Sequence, residues 1–158
     1  MKSKDEFVIR EYLPGDKEQV LNLQRIAMEK IGVYRLEPHW NEDLDTIETT
    51  YGEGKGVFLV GTIGDRIVAM GALKKTGAAE AEIRRMRVMP GIQGRGLGKE
   101  IYKVLEQRAI TWGIKHLRLE TSTQQENAKK LYQAVGFNET ARKIIAGFDC
   151  IIYEKKLP

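Results

Sequence analysis

Histidine and cysteine are scarce: His39 and His116 are the two histidines, and Cys150 is the single cysteine. No internal disulfide can form, and residues this far apart make no recognisable metal site. The lone cysteine suits a reducing compartment. It sits beside Ile151 and Ile152 in a strand-like run, Phe148 to Tyr153, and reads as buried packing, because a nucleophilic thiol needs an electropositive, accessible setting. Long apolar runs are also missing, with none near the roughly 20 residues that span a bilayer, which excludes a membrane role. The start, Met-Lys-Ser-Lys-Asp-Glu, leads into a strand pattern without the apolar segment of a secretory signal, so the cytoplasm is the expected location. Nor does one sign of charge dominate: 26 Lys and Arg face 22 Asp and Glu, a net +4 spread along the chain. That is too diffuse for nucleic acid, although it helps attract a polyanionic ligand. Repeats, low-complexity segments and composition breaks are absent, and 158 residues suit one domain with one core over 1–158.

What is present is an alternation of strand and helix patterns. Phe7 to Ile9 form a short β-like start before Pro14-Gly15. Asp16 followed by Gln19 resembles a capping box for a helix over Lys17 to Lys30, where Val20, Leu23, Ile26 and Ala27 recur at helical spacing. Asn41 is placed to cap a second, shorter helix containing Leu44 and Ile47. Val57–Ile63 and Arg66–Leu73 flank Gly64-Asp65, a two-residue hairpin signal. Glu80 to Met89 is a strand stopped by Pro90. From Leu97 a helical period runs through Ile101, Val104, Leu105, Ala109 and Trp112 to Gly113. Leu117 and Leu119 alternate with His116, Arg118 and Glu120, so strand, helix, strand implies a parallel crossover. A helix over Asn127–Val135 and two strand-like segments, around Glu139–Ile145 and Phe148–Lys155, complete the chain.

The most informative stretch is Val88 to Lys99, Val-Met-Pro-Gly-Ile-Gln-Gly-Arg-Gly-Leu-Gly-Lys, where a strand gives way to a glycine-rich turn and a helix. Glycines at 94, 96 and 98 let backbone N–H groups approach a ligand, and the start of a helix favours a phosphate or pyrophosphate. A Walker loop fails, because Gln93 stands where its first glycine belongs and Glu100 follows Gly98-Lys99 where a hydroxyl is needed. The dinucleotide fingerprint fails too, with Lys99 in place of its third glycine.

Gln93-Gly94-Arg95-Gly96-Leu97-Gly98 matches the Gln/Arg-x-x-Gly-x-Gly/Ala loop of the GNAT N-acetyltransferase superfamily, and three further stretches extend the resemblance. Met86-Arg87-Val88-Met89-Pro90 resembles that family's cofactor strand and Leu119-Glu120-Thr121 its next strand. Ala128-Lys129-Lys130-Leu131-Tyr132 with Gly136-Phe137 is similar to its Ala-x-x-Leu-Tyr-x-x-x-Gly-Phe signature. The resemblance implies an α/β fold of the α+β kind: a mixed, mostly antiparallel central sheet flanked by helices, with two central strands splayed apart. Acetyl-CoA would lie in that cleft. The backbone of Met86, Arg87 and Val88 would pair with its pantetheine arm, and the N–H groups of Gly94, Arg95, Gly96, Leu97, Gly98 and Lys99 would hold the pyrophosphate, with the side chains of Arg95 and Lys99 adding charge. Where the family often has an asparagine against the pantetheine, this chain has Gln125, with Asn127 two residues on; either is a candidate for that contact, and helix capping is the competing role for Asn127.

Acetyl transfer to an amine needs a base for the amine, donors for an oxyanion and an acid for the departing thiolate. By resemblance the acid is Tyr132, the oxyanion donor is a backbone N–H near Met86 to Val88, and the base is Glu82 or Glu120. An ion-paired surface role is the alternative for both glutamates, since Arg84, Arg85, Arg87 and Arg118 offer partners. Tyr34, His39 and Trp40 lie in the variable stretch that would cover the acceptor, as pocket walls or as simple packing. The expected reaction is direct transfer in a ternary complex with a primary amine of a small molecule or peptide. A non-catalytic acyl-CoA sensor is the alternative, and a homodimer through the final strands is a family habit.

Overall fold

The computed structural model describes residues 6–32 and 42–158; Tyr34, His39, Trp40 and Asn41 lie outside them. Seven strands form one sheet in the order β1-β2-β3-β4-β5-β7-β6. They are β1 (Phe7–Glu11), β2 (Gly56–Ile63), β3 (Arg66–Lys75), β4 (Glu80–Val88), β5 (His116–Ser122), β6 (Asn138–Ile145) and β7 (Phe148–Lys156). The helices are α1 (Lys17–Lys30), α2 (Glu42–Asp45), α3 (Ile47–Thr50), α4 (Leu97–Thr111) and α5 (Glu126–Ala134). Every neighbouring pair is antiparallel except β4 and β5, which run parallel.

Alternation along the strands divides the core between two faces. Val57 and Leu59 of β2, Ala69 and Leu73 of β3 and Ala81 and Ile83 of β4 pack with Leu97, Ile101, Leu105 and Ala109 of α4. The intervening Phe58, Val60, Met70 and Ala72 pack with Val20 and Leu23 of α1, Leu44 of α2 and Ile47 of α3. Buried on both faces, β2 and β3 therefore read as nearly unbroken apolar runs. Gly71 of β3 has a packing reason: a Cβ there would lie 2.4 Å from Met86 Sδ and 2.8 Å from Ile101 Cγ2. Its bare backbone lets α4 settle against the sheet.

Two local expectations change. Asp16 does not cap α1 with its side chain. Its carboxylate instead accepts bonds from Arg10 Nη1 at 2.7 Å, Arg10 Nη2 at 3.0 Å and the Leu13 N–H at 2.8 Å, so it closes the turn ahead of the helix. Gln19 is likewise spent elsewhere: Oε1 accepts from the Ile67 N–H at 2.8 Å and Nε2 donates to the Asp65 carbonyl at 3.2 Å, which ties α1 to the hairpin turn. The second helix is also two short ones, broken at Thr46, whose φ of −134° and ψ of 44° are not helical.

The feature that positions the site is a short seam. Register between β4 and β5 covers Glu80 with His116, Ala81 with Leu117 and Glu82 with Arg118, and then stops. Yet β4 continues to Val88 and β5 to Ser122. Across the other edge of β4, two residues, Arg85 and Met86, stand in the register opposite Gly71 alone, between the pairs Met70–Arg87 and Ala72–Arg84. Arg85 takes up the extra length with φ of 59°, a left-handed conformation that costs a non-glycine residue energy. The bulge coincides with the parting of the strands.

Candidate active site

A cavity of about 490 Å³ opens where β4 and β5 diverge, within the size range of small-ligand sites. Its walls come from four places: Ala27 and Met28 of α1 with Ile31 just after it; Met86, Arg87 and Val88 from β4; the loop and first turn of α4 from Gln93 to Lys99, without Arg95; and Gln125, Asn127, Leu131 and Tyr132 at and along α5. Most expected contact residues therefore share one groove. Arg95 is exposed outside that lining.

The loop is shaped by backbone conformation more than by crowding. Gly94 and Gly96 have φ of 85° and 78°, whereas a Cβ on either would meet nothing within 4 Å. Gly98 differs, being inside α4 with ordinary contacts of 3.5 Å from a built Cβ to Val88 and Leu131. Among the described residues, no protein group accepts from the N–H groups of Gly94, Gly96, Leu97, Gly98 or Lys99; the first bond of the helix runs from the Glu100 N–H to the Gly96 carbonyl at 3.0 Å. Gly96 caps the helix with no side chain over its end. The groove thus ends at a helix start with open donors, a setting that suits an anion.

The β4 edge is equally specific. Because the Met89 N–H donates to the Val68 carbonyl of β3 at 2.8 Å, alternation turns the main chain of Val88, and of Met86 before it, toward the cleft. Side chains occupy both carbonyls: Gln93 Nε2 donates to Val88 O at 3.2 Å, and Arg87 Nη1 donates to Met86 O at 2.7 Å. What the open edge offers is N–H donors. Gln93 also accepts from Asn127 Nδ2 at 3.3 Å, which links loop and α5, while Gln125 Nε2 donates to Ser122 Oγ at 3.3 Å.

Tyr132 is buried on the cleft side of α5, with its ring edge-on to Phe137 at 5.7 Å and tilted against Tyr153 at 6.1 Å. Burial pushes its hydroxyl well above the usual tyrosine range, against a smaller opposing pull from Arg87. Among the described residues its hydroxyl donates no hydrogen bond. A proton is therefore held there at neutral pH, facing the cavity.

The two glutamates do not line the cavity. They lie on the sheet face opposite α4, in a row of alternating charge. Glu82 accepts from Arg84 Nε at 2.8 Å and stands 3.6 Å from Arg118, and Glu120 meets Arg118 at 2.9 Å and Lys143 at 3.1 Å. Asp43 and Tyr51, which carry no sequence signal, adjoin this row. Asp43 accepts from Arg85 Nε at 3.1 Å and from the Tyr51 hydroxyl at 2.7 Å. Burial works against its charge, but those bonds outweigh it and hold the Asp43 carboxyl below the usual range. Their contact with the bulge is long-range, so no local pattern could have found them. Cys150 is buried with its thiol pushed up by burial, as packing demands.

A splayed mixed sheet, a donor-lined strand edge and a glycine loop at a helix start together make a cleft suited to an extended, anionic ligand. Residues 18–137 match the family model described as Acetyltransferase (GNAT) family, and the chain belongs to that family. Among curated proteins it is similar to N-acetyltransferase 8F1 of Rattus norvegicus, 28% identical over 111 residues, 67% of this chain and 50% of that protein. The chain spans about half the length of the curated relatives it matches. In fold it is similar to an acetyltransferase of the GNAT family from Staphylococcus aureus Mu50, with TM-score 0.88, 19% identity and coverage of 97% of this chain and 100% of that one. It is also similar to the PaiA N-acetyltransferase of Thermoplasma acidophilum, solved in complex with coenzyme A, with TM-score 0.78, 21% identity and coverage of 96% and 99%.

Proposed function

We propose that the chain is an acetyl-CoA-dependent N-acetyltransferase acting by direct transfer to a primary amine. The observation that carries this reading is the gap beyond Glu82 and Arg118, lined by the donor edge of Met86 and Val88 and closed at one end by the open N–H groups of the α4 start. A pantetheine arm seats along that edge, its pyrophosphate rests on Gly94 to Lys99, and Gln125 or Asn127 meets the arm from the α5 side. Membership of the family and the coenzyme A complex of a protein with the same fold support this reading.

In this scheme a β4 N–H, from Met86 or Val88, donates to the oxyanion, as preorganised backbone donors do at low reorganisation cost. Tyr132 gives its proton to the departing thiolate. Glu82 or Glu120 takes the amine proton through water, released from its guanidinium partner when the acceptor binds. The test is release of CoA thiol from acetyl-CoA with a panel of amines, followed by E82Q and E120Q. Substitution of the true base lowers kcat by about 10²-fold, and substitution of the other leaves it nearly unchanged. A protein that binds acetyl-CoA and liberates no thiol with any amine is a sensor, and the transfer reading fails.

A further inference from the structure

Arg87 stands apart from the other arginines around the cleft. Arg84, Arg85 and Arg118 each meet a carboxylate, from Glu82, Asp43 and Glu120. Arg87 meets none among the described residues: Nε donates to Gln24 Oε1 at 3.0 Å and Nη1 to the Met86 carbonyl at 2.7 Å, and both acceptors are neutral. Its side chain lines the cavity and is half-buried, and burial together with Arg85 disfavours its charge. A cation partly withdrawn from water with no anion beside it is disfavoured, and such an arrangement is relieved by a ligand of opposite charge.

The place of the guanidinium limits what that ligand is. Met86 and Val88 pack toward α4, whereas Arg87, one residue off, reaches Gln24 on α1. It therefore reaches the α1 side of the cavity, whereas the loop that holds Gly94 to Lys99 leads into α4 on the other side. Beside it lie the apolar Ala27, Met28 and Ile31. Of the five N–H groups of a guanidinium, the two bonds above leave three, including one on each terminal nitrogen, the fork that matches a planar carboxylate. A single guanidinium balances one negative charge, so a monoanion fits and a dianionic phosphate would be left partly uncompensated.

We infer that Arg87 is a specificity residue whose fork binds a carboxylate on the acceptor, so that the preferred acceptors are amines that also carry a carboxylate, amino acids and free-ended short peptides. The inference rests on the transfer reading above and narrows its acceptor class. Gln24 holds the Nε side and aims the fork into the cavity.

The experiment measures CoA release with matched acceptors: common L-amino acids and dipeptides, each beside its own carboxamide, and simple alkylamines. The expected result is a kcat/KM at least about 30-fold higher for the best acid than for its carboxamide. R87Q collapses that ratio toward one, and R87K, which keeps charge but not the fork, falls between. The wild-type ratio alone decides the matter should either variant fold poorly. Carboxamides or alkylamines turned over as well as the acids, or a ratio unchanged in a folded R87Q, overturn the carboxylate site and leave acetyl transfer standing. No CoA release with any member of the panel overturns transfer itself, and this inference with it.

Discussion

The chemistry of the cleft turns on single residues held in uncommon surroundings. For Tyr132, burial keeps the phenol protonated well above the ordinary value of about 10. An acid with a raised pKa is competent at every pH below it. With Tyr132 in the proposed acid role, the kcat profile of the wild type should show no loss of acid function between pH 7 and 9, and Y132F should lower kcat by about 10²-fold while KM for acetyl-CoA changes little, because the ring contacts to Phe137 and Tyr153 remain. Steady-state kinetics across pH checks both. Asp43 carries the opposite sign. Its carboxyl is held below the usual range, so the stability it contributes is present above about pH 4, the unfolded value, and is lost as pH falls through the lower folded value. D43N should cost about 2–4 kcal/mol at pH 7 in urea unfolding, and should lose less stability than the wild type on acidification to pH 3. Tyr132 was legible because it falls in a short contiguous motif. Asp43, 42 residues from Arg85 in the chain, was not, since only the folded bulge brings the two together.

At the scale of elements, periodicity located nearly everything that packs: α1 spans Lys17–Lys30 as its apolar spacing requires, and the hairpin turns at Gly64-Asp65. What periodicity could not supply was how side chains at helix ends are used. Asp16 and Gln19 have the spacing of a capping box, yet Arg10 on β1 takes the first and the Ile67 N–H, far along the chain, takes the second. The glycines of the loop, three alike in sequence, also separate into kinds. G94A or G96A forces a left-handed alanine at roughly 1 kcal/mol and should raise KM for acetyl-CoA by deforming the donor cradle. G98A should fold with a stability within about 0.5 kcal/mol of wild type, because its contacts are ordinary. G71A is the control outside the site: overpacking against Met86 and Ile101 should cost about 1–3 kcal/mol in urea unfolding.

For the molecule as a whole, the sequence carried the order of strands and helices but not the length of any pairing, which depends on where a bulge bends β4. The consequence reaches beyond ligand binding. Among the described residues, the registered pairs between β1–β4 and β5–β7 are three, all at one end; further along, the two portions are sutured by α4 and α5 packing. A ligand in the gap supplies the missing rungs, so saturating CoA at a hundred times its Kd should add about 2.7 kcal/mol and raise the melting temperature by roughly 5–10 °C, a gain that G96A diminishes. Hydrogen exchange should locate that gain: Met86 and Val88 amides slow markedly, whereas those of β2 and β3 hardly change. The protein is thus a two-leaved fold fastened at its spine, whose mechanical completion is delegated to the molecule that lies between its leaves.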